Sequence, residues 1–409
     1  MDSRGAVLHA LALPGGDELR PLGEPQLRVA ARVAGGVEVP EGAAWPEAIA
    51  ARLRGRSTPV TWGAPVVPAS PRELERLSYE RGRSAVDVLR ADPQLLTSLQ
   101  IGTWFSAAWH ARLVRRLLLR APLAATIARA AVPRRPAVRL AADVWFWAGV
   151  RSRATRREWR RLTQSSYVAF CYHQLAGTMP NTEHDIDLVP AVFERQMLVL
   201  RRLGWKPLSL DEVYAFHTDA EAVLPRRRYL LTADDGYVEA VDMLVRHADT
   251  RPVAFVVTRL ASGEQTRPGT SFADWGRLAA AHGAGVAVGS HTRSHPSLVA
   301  CSDESLAGEV AGARADFEAA GIDAAPVFAY PFGHHDERVR GAAIDAGYRL
   351  AYTSVVGRNG AGTDPWRLRR ITIHGRDRVL AFAWKVLTGE SLPGPFARRQ
   401  ERRRARSAG

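Results

Sequence analysis

Tyr229-Leu-Leu-Thr-Ala-Asp-Asp-Gly-Tyr237 is an apolar run that stops abruptly at two adjacent carboxylates, a glycine and an aromatic. An apolar run bounded by a turn signal predicts a buried strand, which puts Asp234 and Asp235 where strand gives way to loop. In parallel α/β architectures that edge is where active sites gather. Asp-Gly is also an ordinary turn signal, so the pair acquires meaning only from what the neighbouring strand ends carry.

Working outward, strand-like segments are predicted at 167–172, 229–233, 253–257, 286–288, 327–330, 350–352 and 371–373, with helical patterns between most of them at 192–203, 240–247, 272–282, 303–320 and 336–346. Strands alternating with helices predict a parallel sheet. Seven such units in about 210 residues fit a closed or nearly closed barrel. The α/β domain is therefore expected over 166–390, followed by a basic tail at 391–409.

The segment Gly289-Ser-His-Thr-Arg-Ser-His295 directly follows one predicted strand. Two imidazoles four residues apart can reach one cation, and with a single carboxylate they leave a position open for water, as in a catalytic metal site. His-x-x-x-His alone is usually a surface pair; the Asp-Asp strand end in the same domain reverses that balance. Phe328-Ala-Tyr-Pro-Phe-Gly333 closes another strand with a rigid turn whose aromatics could wall a cleft. His173 ends the first strand and His374 the last. Each reads equally as a satisfied polar residue, but their shared placement at strand ends favours function.

Together these residues resemble the NodB-homology polysaccharide deacetylases, carbohydrate esterase family four, over about 166–387. Thr232-Ala-Asp-Asp-Gly236 stands for the family's Thr-Phe-Asp-Asp-Gly, His291-Thr-Arg-Ser-His295 for its metal-binding motif, and Tyr330-Pro-Phe-Gly333 for its third motif. Tyr172-His173 and the passage from Leu203-Gly-Trp205 through Ser209-Leu210 look like the branch acting on poly-N-acetylglucosamine-like polymers.

The resemblance implies a distorted seven-stranded (β/α) barrel and a metal-dependent N-deacetylase. Asp235, His291 and His295 resemble the metal ligands, and Asp234 the catalytic base. His374 resembles the late-motif histidine that would serve as general acid, with His173 as second choice. Tyr330, Pro331, Phe332, Gly333, Tyr237 and Trp366 are the implied substrate-binding residues. The implied cofactor is a divalent metal, zinc first, with cobalt, nickel or manganese as alternatives. The implied partner is an N-acetylated carbohydrate: a polysaccharide, an oligosaccharide or a lipid-linked glycan.

Two departures stand out. Ala233 replaces the motif's usual aromatic, and Ala329 stands where the family usually has an arginine that steadies the catalytic aspartate. Asp364-Pro-Trp366 reads as the lead-in to the Arg-Ile strand of that branch.

The remainder of the 409 residues is less informative. Residues 1–70 read as short strands and loops without a role, and 71–165 as a helical, Arg- and Trp-rich region. There Trp104, Phe105, Trp109, Leu113, Leu117 and Leu118 could form one apolar stripe beside Arg112, Arg115, Arg116 and Arg120. Such a stripe suits either peripheral association with an anionic membrane or docking on another domain. The formal charge of +14 alone does not make a nucleic-acid protein, because the basic runs read equally as solvated surface. Two cysteines, Cys171 and Cys301, make no disulfide framework, and Cys171 reads as a small core residue. No secretion signal or spanning segment is recognisable, so a cytoplasmic location, against the inner membrane face, is expected. Competing readings are a non-catalytic carbohydrate-binding or scaffold barrel and an amide or imide hydrolase of the same fold.

Overall fold

The computed structural model describes residues 6–11, 26–28, 60–66, 70–120, 135–175, 187–375 and 377–391. The chain divides into two compact units, Met1–Ser165 with Gly360–Gly362, and Ser166–Asn359 with Thr363–Gly409. The predicted basic tail lies almost wholly outside the described residues.

In the first unit, β1 (Ala6–Leu11) pairs antiparallel with β2 (Gln26–Arg28) and parallel with β3 (Val60–Val66). Helix α1 (Pro71–Ala91) is capped by Ser70, whose side chain accepts from the Glu73 amide, with proline in its first turn. Helix α2 (Trp109–Arg120) is followed by α3 (Arg135–Arg153) and the short α4 (Arg156–Thr163), which opens on a capping box between Thr155 and Glu158. Helices α1 and α3 approach so closely that a Cβ on Gly82 would lie 1.9 Å from the Phe146 carbonyl oxygen, and one on Gly149 would lie 2.0 Å from that of Tyr79. Glycine is the residue that permits this backbone contact.

The expected apolar stripe over 104–118 does not form. Trp104 and Phe105 lie buried in a 3-10 turn (Gln100–Phe105), whereas Leu113 and Leu117 on α2 are exposed. Arg112 and Arg115 point inward instead: Arg112 donates to the carbonyls of Phe105 and Ala107, and Arg115 makes a bidentate pair with Asp143, 2.7 and 3.0 Å. The Arg115 guanidinium also lies over Trp104 and Trp147, 4.9 and 5.2 Å from the ring centroids. Planar cations satisfied by carbonyls and aromatic faces compete successfully with leucine for the interior here.

In the second unit all seven predicted strands are present: β4 (Ser166–Tyr172), β6 (Arg228–Ala233), β7 (Val253–Val256), β8 (Ala287–Ser290), β9 (Val327–Ala329), β10 (Leu350–Tyr352) and β12 (Ile371–Thr372). The short β5 (Lys206–Pro207) and β11 (Asn359–Gly360), not predicted, complete a nine-stranded sheet. Its order is β10-β9-β8-β7-β6-β4-β11, with β12 also on β4 and β5 on β6. The ladders among the seven strands are parallel. The sheet turns back on itself through a parallel bridge from Tyr352 to Leu368, just ahead of β12, giving the α/β half-barrel.

Strands β4 and β6 are buried along nearly their whole length, as parallel strands covered on both faces must be. Helices α5 (Pro190–Arg202), α7 (Val238–Arg246), α8 (Trp275–Gly283), α9 (Asp303–Ala319) and α10 (Glu337–Asp345) occupy the predicted crossovers. Two more, α6 (Leu210–Thr218) and α11 (Val379–Thr388), were not predicted. The main core packs Phe170, Leu231, Val256 and Val288 from the strands against Phe193, Leu244, Leu278 and Phe382 from the helices. Among the described residues no helix is long and apolar enough to cross a membrane.

Candidate active site

Because the strands run parallel, their C-terminal ends share one rim, and that rim carries the chemistry. Strand β6 delivers Asp234 and Asp235, β8 leads to His291 and His295, β4 to His173, and β9 to the Tyr330–Gly333 corner. The rim is conformationally special: Asp235, Thr292, His295 and Phe332 have φ of 70°, 70°, 65° and 58°. Left-handed backbone on residues with side chains is unfavourable and collects at functional sites.

The two carboxylates have different surroundings. Asp234 is buried, and its Oδ1 accepts from Arg370 Nη1 at 2.6 Å. Arg370 is itself buried, donates through Nε to the Thr353 carbonyl at 3.1 Å, and lies over the rings of Phe255 and Tyr352. Burial alone would push the Asp234 carboxyl up, but the Arg370 guanidinium, then the His291 and His173 imidazoles, outweigh it and hold the group well below the usual carboxylate range. The other oxygen, Oδ2, receives the Cys171 thiol at 3.3 Å.

Asp235 faces the histidines. Its Oδ1 is 3.7 Å from His291 Nε2 and 3.5 Å from His295 Nε2. Among the described residues no hydrogen-bond donor reaches this buried oxygen. Arg267 Nη1 lies 3.3 Å from Oδ2 and 3.3 Å from the Tyr237 hydroxyl. The Asp235 carboxyl, too, is held below its ordinary range: burial opposes ionisation, but His291 and His295 outweigh it.

Both histidines turn Nε2 towards Asp235. His291 Nδ1 sits 2.7 Å from the Ala329 carbonyl oxygen and so carries the proton, leaving Nε2 bare towards Asp235. Burial, then the neighbouring His291, pushes His295 down to about 4, so its ring is neutral at pH 7. Glu309 on α9 fixes their loop by accepting from the amides of Arg293 and Ser294, 3.0 and 2.9 Å, and from the Ser294 hydroxyl.

A tetrahedral cation with N and O ligands at about 2.0–2.1 Å separates them by roughly 3.3 Å. Separations of 3.5 and 3.7 Å, an undonated buried carboxylate oxygen and two Nε2 atoms turned towards it fit a divalent cation held by Asp235, His291 and His295, whose ligand atoms lie within 4.8 Å of one another.

The other expected site residues divide. His173 is close enough for its ring to act on both carboxylates. His374 lies just beyond β12, whose register with β4 carries it opposite His173, and its amide donates to Asp377 at 2.7 Å. Phe332 stands 54% exposed with its ring 4.7 Å from that of His295, while Pro331 is buried. Tyr330 is fully buried, its hydroxyl donating to the Trp366 carbonyl at 3.1 Å, and Trp366 is half-buried against the cluster containing Leu298 and Tyr348. Tyr237 is buried against Phe272. At Gly333, φ is 76° and a Cβ would lie 2.5 Å from the Ser354 amide nitrogen.

With Ala329 in the family's usual arginine position, the arginine that meets Asp234 is Arg370, directly ahead of β12. The Arg369-Arg370-Ile371 run was its only linear trace. Arg267 and Glu309 had none.

Residues 222–351 match the family model described as polysaccharide deacetylase. No curated protein matches the chain. Among solved structures, the chain is similar to the Streptococcus pyogenes deacetylase PplD in complex with acetate, at 20% identity and a TM-score of 0.47, over 53% of this chain and 96% of that one. IcaB from Ammonifex degensii gives 20% and 0.47 over 54% and 97%. The BpsB deacetylase domain from Bordetella bronchiseptica gives 19% and 0.40 over 50% and 94%. The segment that matches the polysaccharide deacetylase family lies across the strand ends that carry Asp234, Asp235, His291 and His295.

Proposed function

We propose that the enzyme hydrolyses the N-acetyl group of an N-acetylated sugar with a divalent metal, zinc first, held by Asp235, His291 and His295. The observation that carries this reading is the division of the carboxylate pair: Asp235 Oδ1 is buried, with no donor among the described residues, before the Nε2 atoms of His291 and His295, while Arg370 pins Asp234 at 2.6 Å. When bound, the cation supplies a Lewis acid that acidifies water towards a pKa of about 7 and polarises the acetamide carbonyl.

The chain's own residues do the rest. Asp234, kept ionised by Arg370, takes the water proton as the C–O bond forms. The amides of Gly333 and His334 are engaged by Tyr330 and Pro331, so the intervening Phe332 amide is the donor we assign to the developing oxyanion. A protonated imidazole then gives its proton to the departing amine, releasing acetate and the free amino sugar. We assign this role to His173: burial holds its imidazole below the ordinary range, and the two neighbouring carboxylates work against that; His374 is the alternative. Phe332, exposed beside His295, offers a face for a sugar ring.

Asp235→Asn and His295→Ala are expected to lose stoichiometric zinc and acetate release from chito-oligosaccharides together. Full activity in metal-free protein would overturn the proposal. The acid is separable by leaving group: His173→Ala should impair amide hydrolysis on the order of 100-fold yet spare an activated acetate ester, whose leaving group needs no proton. The same pattern in His374→Ala instead would reassign the role.

A further inference from the structure

A second set of ligand atoms converges on the other carboxylate of the pair. The Cys171 thiol, a ring nitrogen of His173 and an oxygen of Asp234 lie within 4.8 Å of one another. We propose that Cys171, His173 and Asp234 form a second, weaker cation site for a thiophilic divalent metal such as zinc, cobalt or cadmium, and that its occupancy inhibits the enzyme by withdrawing the base. The inhibition rests on the proposed function; the binding stands on the donor set alone.

The geometry leaves room for a shared ion in place of the thiol's hydrogen bond. Cys171 Sγ and Asp234 Oδ2 are 3.3 Å apart. Ligand bonds of about 2.3 Å to sulfur and 2.1 Å to oxygen would span that separation at an angle of about 97°, between octahedral and tetrahedral values. Arg370 occupies Oδ1, which leaves Oδ2 for the thiol side. The Nδ1 of His173 is buried with no hydrogen-bond partner among the described residues. A sulfur, nitrogen and oxygen set selects zinc, cobalt or cadmium over magnesium and calcium. On binding, the Cys171 proton leaves to solvent and the S–metal bond takes its place.

Two facts place this site below the triad in affinity. Arg370 already neutralises Asp234 and repels a cation brought to its other oxygen. Burial also holds the Cys171 thiol above its ordinary range, so the metal must displace a firmly held proton. The triad therefore fills first, and the second site responds to metal in excess.

Cobalt titration of the full chain, in a Cys301→Ser background, tests the assignment. The first equivalent should add no thiolate-to-cobalt charge-transfer band in the near ultraviolet, and the second should bring it in. Cys171→Ser keeps a hydroxyl donor towards Asp234 and should lose the second equivalent and the band while keeping the first. His295→Gln should weaken the first and retain the band. Excess zinc should inhibit the parent at least ten-fold more strongly than Cys171→Ser. Uptake of one equivalent with no band, a second equivalent surviving in Cys171→Ser, or equal zinc inhibition of both proteins would each overturn the proposal. A protein that shows the band but releases no acetate under any condition would instead sink the proposed function and leave the cation site standing.

Discussion

Arg370 decides whether Asp234 can serve as a base. A buried carboxylate without a partner is driven towards its protonated form, and the Arg370 contact reverses that tendency. Replacing Arg370 with Met leaves burial as the dominant influence, so the Asp234 pKa rises and the acid limb of kcat/KM in metal-saturated enzyme moves to higher pH. Breaking a buried pair also costs stability, by about 3–5 kcal/mol, readable as a shift in denaturant midpoint. An unmoved acid limb in a folded variant would show that Asp234 is not the titrating base. The roles within Asp234-Asp235 could not be separated by spacing alone, since they depend on which side chains meet each carboxylate across the barrel. The proposed metal ligands stand in two local motifs and so are readable in the linear sequence; the arginine is not, because it acts from 136 positions away.

Among the elements, the α1 and α3 pair is held by two glycines that look unremarkable in the linear sequence. Gly82→Ala places its Cβ against the Phe146 carbonyl and the Val150 amide, both main-chain atoms that cannot turn aside. The helices must separate, at a cost of about 1–3 kcal/mol, and Gly149→Ala should behave alike; urea denaturation monitored through the tryptophans of this unit checks both.

A different sensitivity belongs to α4. Arg90 holds both oxygens of Glu158, at 2.7 and 2.8 Å, and this pairing, against partial burial and with help from Thr155, lowers the Glu158 carboxyl to about 2. A depressed acid stabilises above its unfolded pKa, and that contribution fades as pH falls from about 4.5 to about 2. Glu158→Gln is therefore expected to cost about 1 kcal/mol at pH 7, after allowing for solvent screening, and nothing near pH 2. Strand positions were readable because buried parallel strands are continuous apolar runs. The inward arginines of α2 were missed because a stripe of leucines at helical spacing says which residues share a face, and says nothing of whether carbonyls and indoles await on the other.

For the whole molecule, two compact units carry separate consequences. The proposed metal ligands all belong to the barrel, so zinc at a hundred times its Kd should raise the stability of that unit by about 2.7 kcal/mol. Scanning calorimetry should then show one transition moving with metal and one staying. A single transition that moves as a whole with metal would show that the units unfold as one.

The position of Arg370 in the chain has one further consequence. The matched deacetylase segment ends at residue 351, yet the counter-charge of Asp234 comes from beyond it. While the polypeptide is still being synthesised, a ribosome that has released everything up to the tenth strand holds a chain whose active-site carboxylate has no cation to face. A chain cut short after residue 365 would keep the proposed metal ligands Asp235, His291 and His295 but lose the arginine that pairs with Asp234, and on the proposed function it is expected to release no acetate.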